Sequence, residues 1–181
     1  MAAERSESAS DTTVKPFPYQ VAGHLVQDGF KMTVDDCVLK PVQRPPKGER
    51  EVIFYETVFD EAEERNEILQ LRRFLPHYYG VVELDMTRYL KLENITGRFN
   101  VPCIMDIKIG KVTWDDDVDD KFKEERRKKW PLKEITGFSI LGFMVYNHRR
   151  SCYERYNREW CLKLATLEDA EKGKVQMILK N

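Results

Sequence analysis

The chain lacks long apolar runs, paired CxxC cysteines, internal repeats and any real excess of charge. Each absence narrows the reading. A helix that crosses a membrane needs roughly 20 consecutive apolar residues. No such run occurs, and no signal-type apolar stretch opens the sequence, so no membrane span is expected. Lys and Arg number 30 against 31 Asp and Glu, for a net charge of −1. That balance argues against the broad basic footprint of a nucleic-acid binder, so no nucleic-acid contact is required. It leaves room for a local basic pocket that takes phosphates. The four cysteines (Cys37, Cys103, Cys152 and Cys161) have no CxxC spacing, which points to a reducing compartment, nucleus and cytoplasm. What remains is a globular composition, 41% hydrophobic and 34% charged over 181 residues, enough for one domain or two small lobes.

The stretch Val101 to Gly110 reads VPCIMDIKIG. Pro102 removes a donor and restricts the chain. The apolar, β-branched run that follows suits a buried strand. Asp106 and Lys108 interrupt it two residues apart, so a strand projects both from one face. Neither charge is cheap to bury without a partner. Two readings are open, a structural ion pair and a site. Gly110 then allows a turn or a close approach to a ligand.

Upstream, residues 1–15 are small, polar and charged and are expected to be disordered. From Pro16 to Cys37, Gly23 and Gly29 punctuate short apolar segments, and Asp28-Gly29 is a hairpin signal. Val38, Leu39 and Val42 predict a strand that ends before Pro45-Pro46. Glu51 opens a helical segment in which Val52, Tyr55 and Phe59 form an apolar stripe, widened by Ile53 and Phe54. Lys40 lies in the strand and Glu51 follows it by eleven residues. A strand Lys with a helix Glu is how protein kinases hold ATP phosphates. Singly, each is more often a solvated surface charge. A continuing or second amphipathic helix is expected within 60–73, then a turn at Pro76 and Gly80 and a strand near Tyr89 to Leu92.

Downstream, an acidic block from Asp115 to Asp120 precedes a basic block from Arg126 to Lys129. Such runs usually mark solvated faces; a clamp for several phosphates is the alternative. The acidic block lacks the spacing and glycine of an EF-hand loop. Phe138 to Tyr146 predicts a central strand. Asn147 to Trp160 is polar and basic. A helix is expected from Leu162 to Leu179, with capping-box spacing at Thr166 to Asp169.

The pattern Pro102-x-x-x-Asp106-x-Lys108-x-Gly110 resembles the signature of the inositol polyphosphate kinases. The longer form PCIMDIKIG is most similar to the multikinase branch. QVAGH, PHYYG, Leu92-Glu93-Asn94-Ile95 and WPLKEITGFSILGFMVY also resemble family segments. The resemblance implies an α+β, two-lobed inositol polyphosphate kinase fold, with an antiparallel N-lobe sheet and helix over a truncated α/β C-lobe. Residues 16–95 would form the nucleotide-binding N-lobe and hinge, and residues 96–181 a partial C-lobe. It implies ATP and Mg²⁺ as cofactors and inositol polyphosphates as substrates, and leaves protein partners open. By resemblance, Lys40 holds the ATP phosphates and Glu51 orients Lys40, and Glu93 and Ile95 offer backbone groups to adenine. Asp106 binds the ribose, and Lys108 engages the reacting phosphoryl or inositol hydroxyl. Lys129 falls on a basic family position of the substrate helix; Lys121 and Arg126 are candidates by proximity. Met144 stands where the family often has a basic residue. The family's Ser-Ser-Leu-Leu segment and its Ile-Asp-Phe segment, whose Asp holds the metal, do not occur, so the metal ligands stay unassigned. The expectation is therefore a fragment, a short isoform or an inactive paralogue. The competing function is a non-catalytic scaffold that binds nucleotide, inositol phosphates or proteins.

Overall fold

A computed structural model describes residues 13–22, 29–112, 114, 118–130 and 133–163. The chain divides into two compact units. One comprises Met1–Pro18 and Val26–Arg98, the other Tyr19–Leu25 and Phe99–Asn181. Both are α+β, and every strand pairing among the described residues is antiparallel.

The first unit is a five-stranded sheet in the order β1-β2-β3-β5-β4. Its strands are β1 (Lys15–Pro16), β2 (Lys31–Met32), β3 (Cys37–Pro41), β4 (Tyr78–Leu84) and β5 (Thr87–Glu93). Helix α1 (Lys47–Phe59) packs on it. It starts four residues before the expected Glu51, because Pro46 stands just outside the first turn, where a missing N–H costs nothing. Gly48 is required there, since a Cβ would lie 1.9 Å from the Gln43 carbonyl oxygen. Val52, Tyr55 and Val58 recur every three residues and are buried. Val52 and Tyr55 pack with Leu90 and Leu92 of β5, and Val42, Phe59, Tyr78 and Val81 close the cluster. Ile53 and Phe54 do not widen this stripe: at about 100° per residue they leave its face, and they are 59% and 42% exposed. A short helix α2 (Asn66–Leu71) runs into a 3₁₀ turn at Arg72–Phe74. Arg72 ties that turn to the end of α1, donating to the carbonyls of Val58 (2.6 Å) and Asp60 (2.7 Å).

The second unit has a sheet in the order β6-β7-β8: β6 (Ile104–Ile109), β7 (Phe138–Asn147) and β8 (Cys152–Tyr156). Strand β6 was expected to be buried. It is instead an edge strand of this sheet, and Ile109 is 85% exposed. Its pairing with β7 skips Leu141, since Asp106 faces Gly142 and Ile107 faces Ile140. Central β7 buries Phe143 and Met144. Phe143 stacks on Tyr156 at 4.4 Å, and Trp160 meets both rings edge-on. Trp160 belongs to α5 (Arg158–Leu162), capped by Asn157, whose Oδ1 accepts from the Trp160 N–H. The sequence reading had only a polar segment where β8 and α5 lie. Helices α3 (Asp120–Lys129) and α4 (Lys133–Thr136) precede β7.

Gln20 to Ala22, the described part of the QVAGH segment, forms no strand. It lies against β7 and β8. Arg155 donates to the Gln20 carbonyl at 3.2 Å, Tyr19 meets Tyr153 edge-on, and the Val21 carbonyl approaches Gly142 so closely that a Cβ there would sit 2.3 Å from it. His24, Asp28, Asp115 to Asp117 and the expected helix from residue 164 onward lie outside the described residues.

The α1 interface makes a simple forecast. Leu90, fully buried, should cost about 2–5 kcal/mol when cut to Ala. Ile53→Ala, on the exposed face of α1, should change stability by no more than about 0.5 kcal/mol. Urea unfolding of both variants checks the contrast.

Candidate functional site

In the first unit β3 and α1 bring two of the proposed residues together. Lys40 Nζ donates to Glu51 Oε1, and both side chains are about three-quarters buried. The pair forms because α1 is seated on the sheet one turn away, through Val52 and Tyr55. A part-buried ammonium held by one carboxylate oxygen keeps two further N–H donors for an anion.

Strand β5 ends at Glu93 and a 3₁₀ turn, Ile95–Arg98, follows. The Glu93 N–H donates to the His77 carbonyl at 2.8 Å, and the Glu93 carboxylate accepts from the His77 N–H and from Arg98. Arg98 first, then His77, holds that carboxyl below the usual range. Of the two Glu93 backbone groups, the carbonyl is therefore the one suited to a ligand. Ile95 is the first residue of the turn, so its N–H precedes the first i→i+3 bond, which runs from the Gly97 N–H to the Asn94 carbonyl at 3.2 Å.

The support beneath this segment was not foreseen. Asn94 is buried, and its Nδ2 donates to Asp36 Oδ1 at 2.8 Å. Its Oδ1 accepts from the Thr96 N–H at 3.1 Å and the Thr96 hydroxyl at 2.5 Å. Asp36 sits in the β2–β3 turn with φ of 59°, a left-handed position that Asp tolerates better than most residues. Beside it, Lys91 Nζ donates to Asp35 Oδ2 at 2.7 Å. Chiefly through that bond, the Asp35 carboxyl is lowered to about 2. The sequence carried a weak signal for this turn, the Asp35-Asp36 pair after a short strand, but nothing that named Asn94 as its partner.

In the second unit Asp106 is half-buried and Lys108 exposed on β6. Among the described residues no ion pair joins them, which removes the reading of a structural pair. On α3, Asp119 caps the helix by accepting from the Phe122 N–H at 2.7 Å. Arg126 and Lys129 are three apart and share a face, whereas Lys121 lies roughly 140° round the axis from Arg126. Arg126 covers the Phe122 ring at 4.8 Å. One cation was missed altogether: Lys133 of α4 is buried, with its Nζ unpartnered. Burial lowers its pKa, and the charges of Lys108 and Arg126 add to the effect. Met144, where the family often has a basic residue, is core. Among the described residues no group of three His, Cys, Asp or Glu could hold a metal ion.

The turn under residues 91–96 generates two tests. Asp35 should titrate near 2, and Lys91→Met should return its midpoint toward the ordinary 3.8, read by carboxyl ¹³C shifts. The pair's contribution to stability is full above the ordinary carboxylate pKa and is lost as pH falls through the folded value. Because Asp35 is largely exposed, the contribution is small. Asn94→Ala should lower stability by about 1–3 kcal/mol, because Asp36 and Thr96 lose a buried partner. Faster exchange of the Thr96 amide should accompany it.

Comparison with known proteins finds inositol phosphate kinases. The profile of the family described as inositol polyphosphate kinase matches residues 89–174. The chain is 38% identical to human inositol polyphosphate multikinase over 151 residues, which is 80% of this chain and 36% of that protein. It is 34% identical to inositol polyphosphate multikinase alpha of Arabidopsis thaliana over 149 residues, 78% of this chain and 51% of that protein. The chain thus spans between about a third and a half of the length of these relatives. A solved inositol phosphate multikinase superposes with a TM-score of 0.52 at 31% identity, covering 67% of this chain and 53% of the other. The multikinase of S. cerevisiae, solved with ADP and Mn²⁺, gives 0.59 at 22% identity over 80% of this chain and 58% of that one, a likeness of fold. On the sequence profile, the relatives and the fold together, the chain belongs to the inositol polyphosphate kinase family.

Proposed function

We propose that this chain carries the nucleotide-binding part, and a portion of the substrate-binding part, of an ATP-dependent kinase that phosphorylates hydroxyls of inositol polyphosphates. The observation that carries the reading is the Lys40–Glu51 pair, a strand lysine held by a helix glutamate. That is the device by which kinases position ATP phosphates. Residues 16–95 are read as the nucleotide lobe and residues 96–181 as part of the substrate lobe.

In this reading Glu51 orients the Lys40 ammonium, and Lys40 holds the ATP phosphates. The Glu93 carbonyl and the Ile95 N–H meet the adenine edge. Asp106 accepts the ribose hydroxyls. Lys108, with no carboxylate partner among the described residues, stabilises the charge that develops on the transferring phosphoryl. Arg126 and Lys129 neutralise substrate phosphates from one helix face, and Lys121 contributes from a neighbouring one. A divalent metal supplies charge neutralisation when bound; Mg²⁺ is the ion we propose. Four free cysteines among the described residues fit a reducing compartment, and nucleus and cytoplasm are proposed. A second reading, a binding module without turnover that engages nucleotide, inositol phosphates or protein partners, is favoured by the lack, among the described residues, of a group of three His, Cys, Asp or Glu that could hold a metal ion.

Thermal melting with millimolar ATP and Mg²⁺ should raise the transition of the wild type, since a ligand selective for the folded state stabilises it. Lys40→Met should abolish that rise. No shift in folded wild type sinks the nucleotide assignment. With inositol trisphosphate added, turnover that falls about a hundredfold in Lys108→Ala at unchanged melting temperature supports the kinase. Nucleotide binding without any turnover of this chain supports the binding module.

A further inference from the structure

We propose that Lys133 is an anion-binding residue: its buried ammonium, with Lys108 and Arg126 near it, forms a cationic seat for one phosphate group in the second unit. The lysine is held there by backbone. Its N–H donates to the Trp130 carbonyl at 3.1 Å, and its carbonyl accepts from the Gly137 N–H at 2.8 Å. Gly137 has φ of 74°, and its own carbonyl accepts from the Gly110 N–H at 2.7 Å. One helical turn is thus tied at one end to the close of α3 and at the other to the mouth of the β6–β7 pair. The side chain it carries is 4% exposed, and its Nζ has no hydrogen-bond partner.

A buried ammonium with unsatisfied donors is costly, and such groups in folded proteins call for an explanation. Packing alone does not supply one, because an apolar side chain would fill the same space without the charge. Nor, among the described residues, does a neighbouring carboxylate: Glu134, next in sequence, pairs with Arg127 at 3.2 Å instead. The charges that act on Lys133 are those of Lys108 and Arg126, both cations. The charges of Lys108 on β6 and Arg126 on α3 both disfavour the buried ammonium of Lys133 on α4, and a multiply charged anion reverses that repulsion into attraction. A phosphate group fits best, having several acceptor oxygens and up to two charges. The kinase reading above is needed only to say which phosphate compound arrives; the seat itself follows from these residues.

Lys133→Met keeps the length of the side chain and removes the charge. Calorimetric titration with inositol hexakisphosphate should show affinity about ten- to a hundredfold weaker than wild type. Melting in phosphate-free buffer should be unchanged or higher, since an unpaired buried charge has been replaced by an apolar chain. Lys133→Arg should retain most of the affinity. A parallel titration with ATP identifies the source. Loss confined to the hexakisphosphate assigns the seat to an inositol phosphate, and loss confined to ATP assigns it to a nucleotide phosphoryl. Equal affinities of wild type and Lys133→Met for both ligands would overturn the proposal. So would a methionine variant that melts lower yet binds as wild type per folded molecule. Wild type that takes the hexakisphosphate through Lys133 but shows no ATP-induced melting shift would leave the seat standing and remove the nucleotide assignment.

Discussion

The packing of Val52 and Tyr55 on Leu90 and Leu92 sets the geometry of the first unit. It lays one face of α1 on the sheet and thereby decides where every polar residue of that helix points. Glu51 precedes Val52 at the rim of the buried stripe, within reach of Lys40 on β3. Glu49, two residues earlier, reaches Arg88 at the start of β5 at 2.7 Å. Neither ion pair need stabilise the fold much, since partly exposed pairs contribute little. Their value is positional. The apolar contact holds the backbone, and the backbone holds a lysine beside a carboxylate.

A second constraint acts on the segment after β5. Backbone N–H and C=O groups that leave a sheet ladder need other partners or water. The chain here leaves the ladder at Glu93, and side chains take over the work of holding it. Asn94 bonds to both Asp36 and Thr96, while Arg98 and His77 hold the Glu93 carboxylate. The β2–β3 turn is thus a buttress for residues 91–96, with Lys91 and Asp35 as a solvent-facing counterpart.

The second unit distributes charge differently. Most cations of α3 are either exposed or engaged with aromatic rings and acids: Arg126 with Phe122, Arg127 with Trp114 and Glu134, Lys128 with Glu124. Their position in the last turn also complements the helix dipole. Against this background Lys108, with no ion pair among the described residues, and Lys133, buried without a partner, differ in kind. One is an exposed cation on an edge strand, the other a cation that the fold encloses. Compensated charges hold a helix in place; uncompensated ones store affinity for an anion.

Much was legible in the order of residues alone. The turn residues, the apolar period of α1, the strand at Asp106 and Lys108, and the spacing of Lys40 from Glu51 all act locally, and local spacing is what a sequence displays. The start of α1 was misjudged because Pro46 and Gly48 look like loop residues until the helix is seen to begin between them. Ile53 and Phe54 looked like core because hydrophobicity shows in a sequence and facing direction does not. Strand β6 looked buried because its composition carries no information about which strand lies beyond it. Only the tertiary structure joined Asn94 to Asp36, 58 residues apart, set the Val21 carbonyl against Gly142, and enclosed Lys133 near Lys108 and Arg126. In each case the deciding quantity is burial or a contact between distant segments. A lysine in the string PLKE is an ordinary surface charge until packing removes its water.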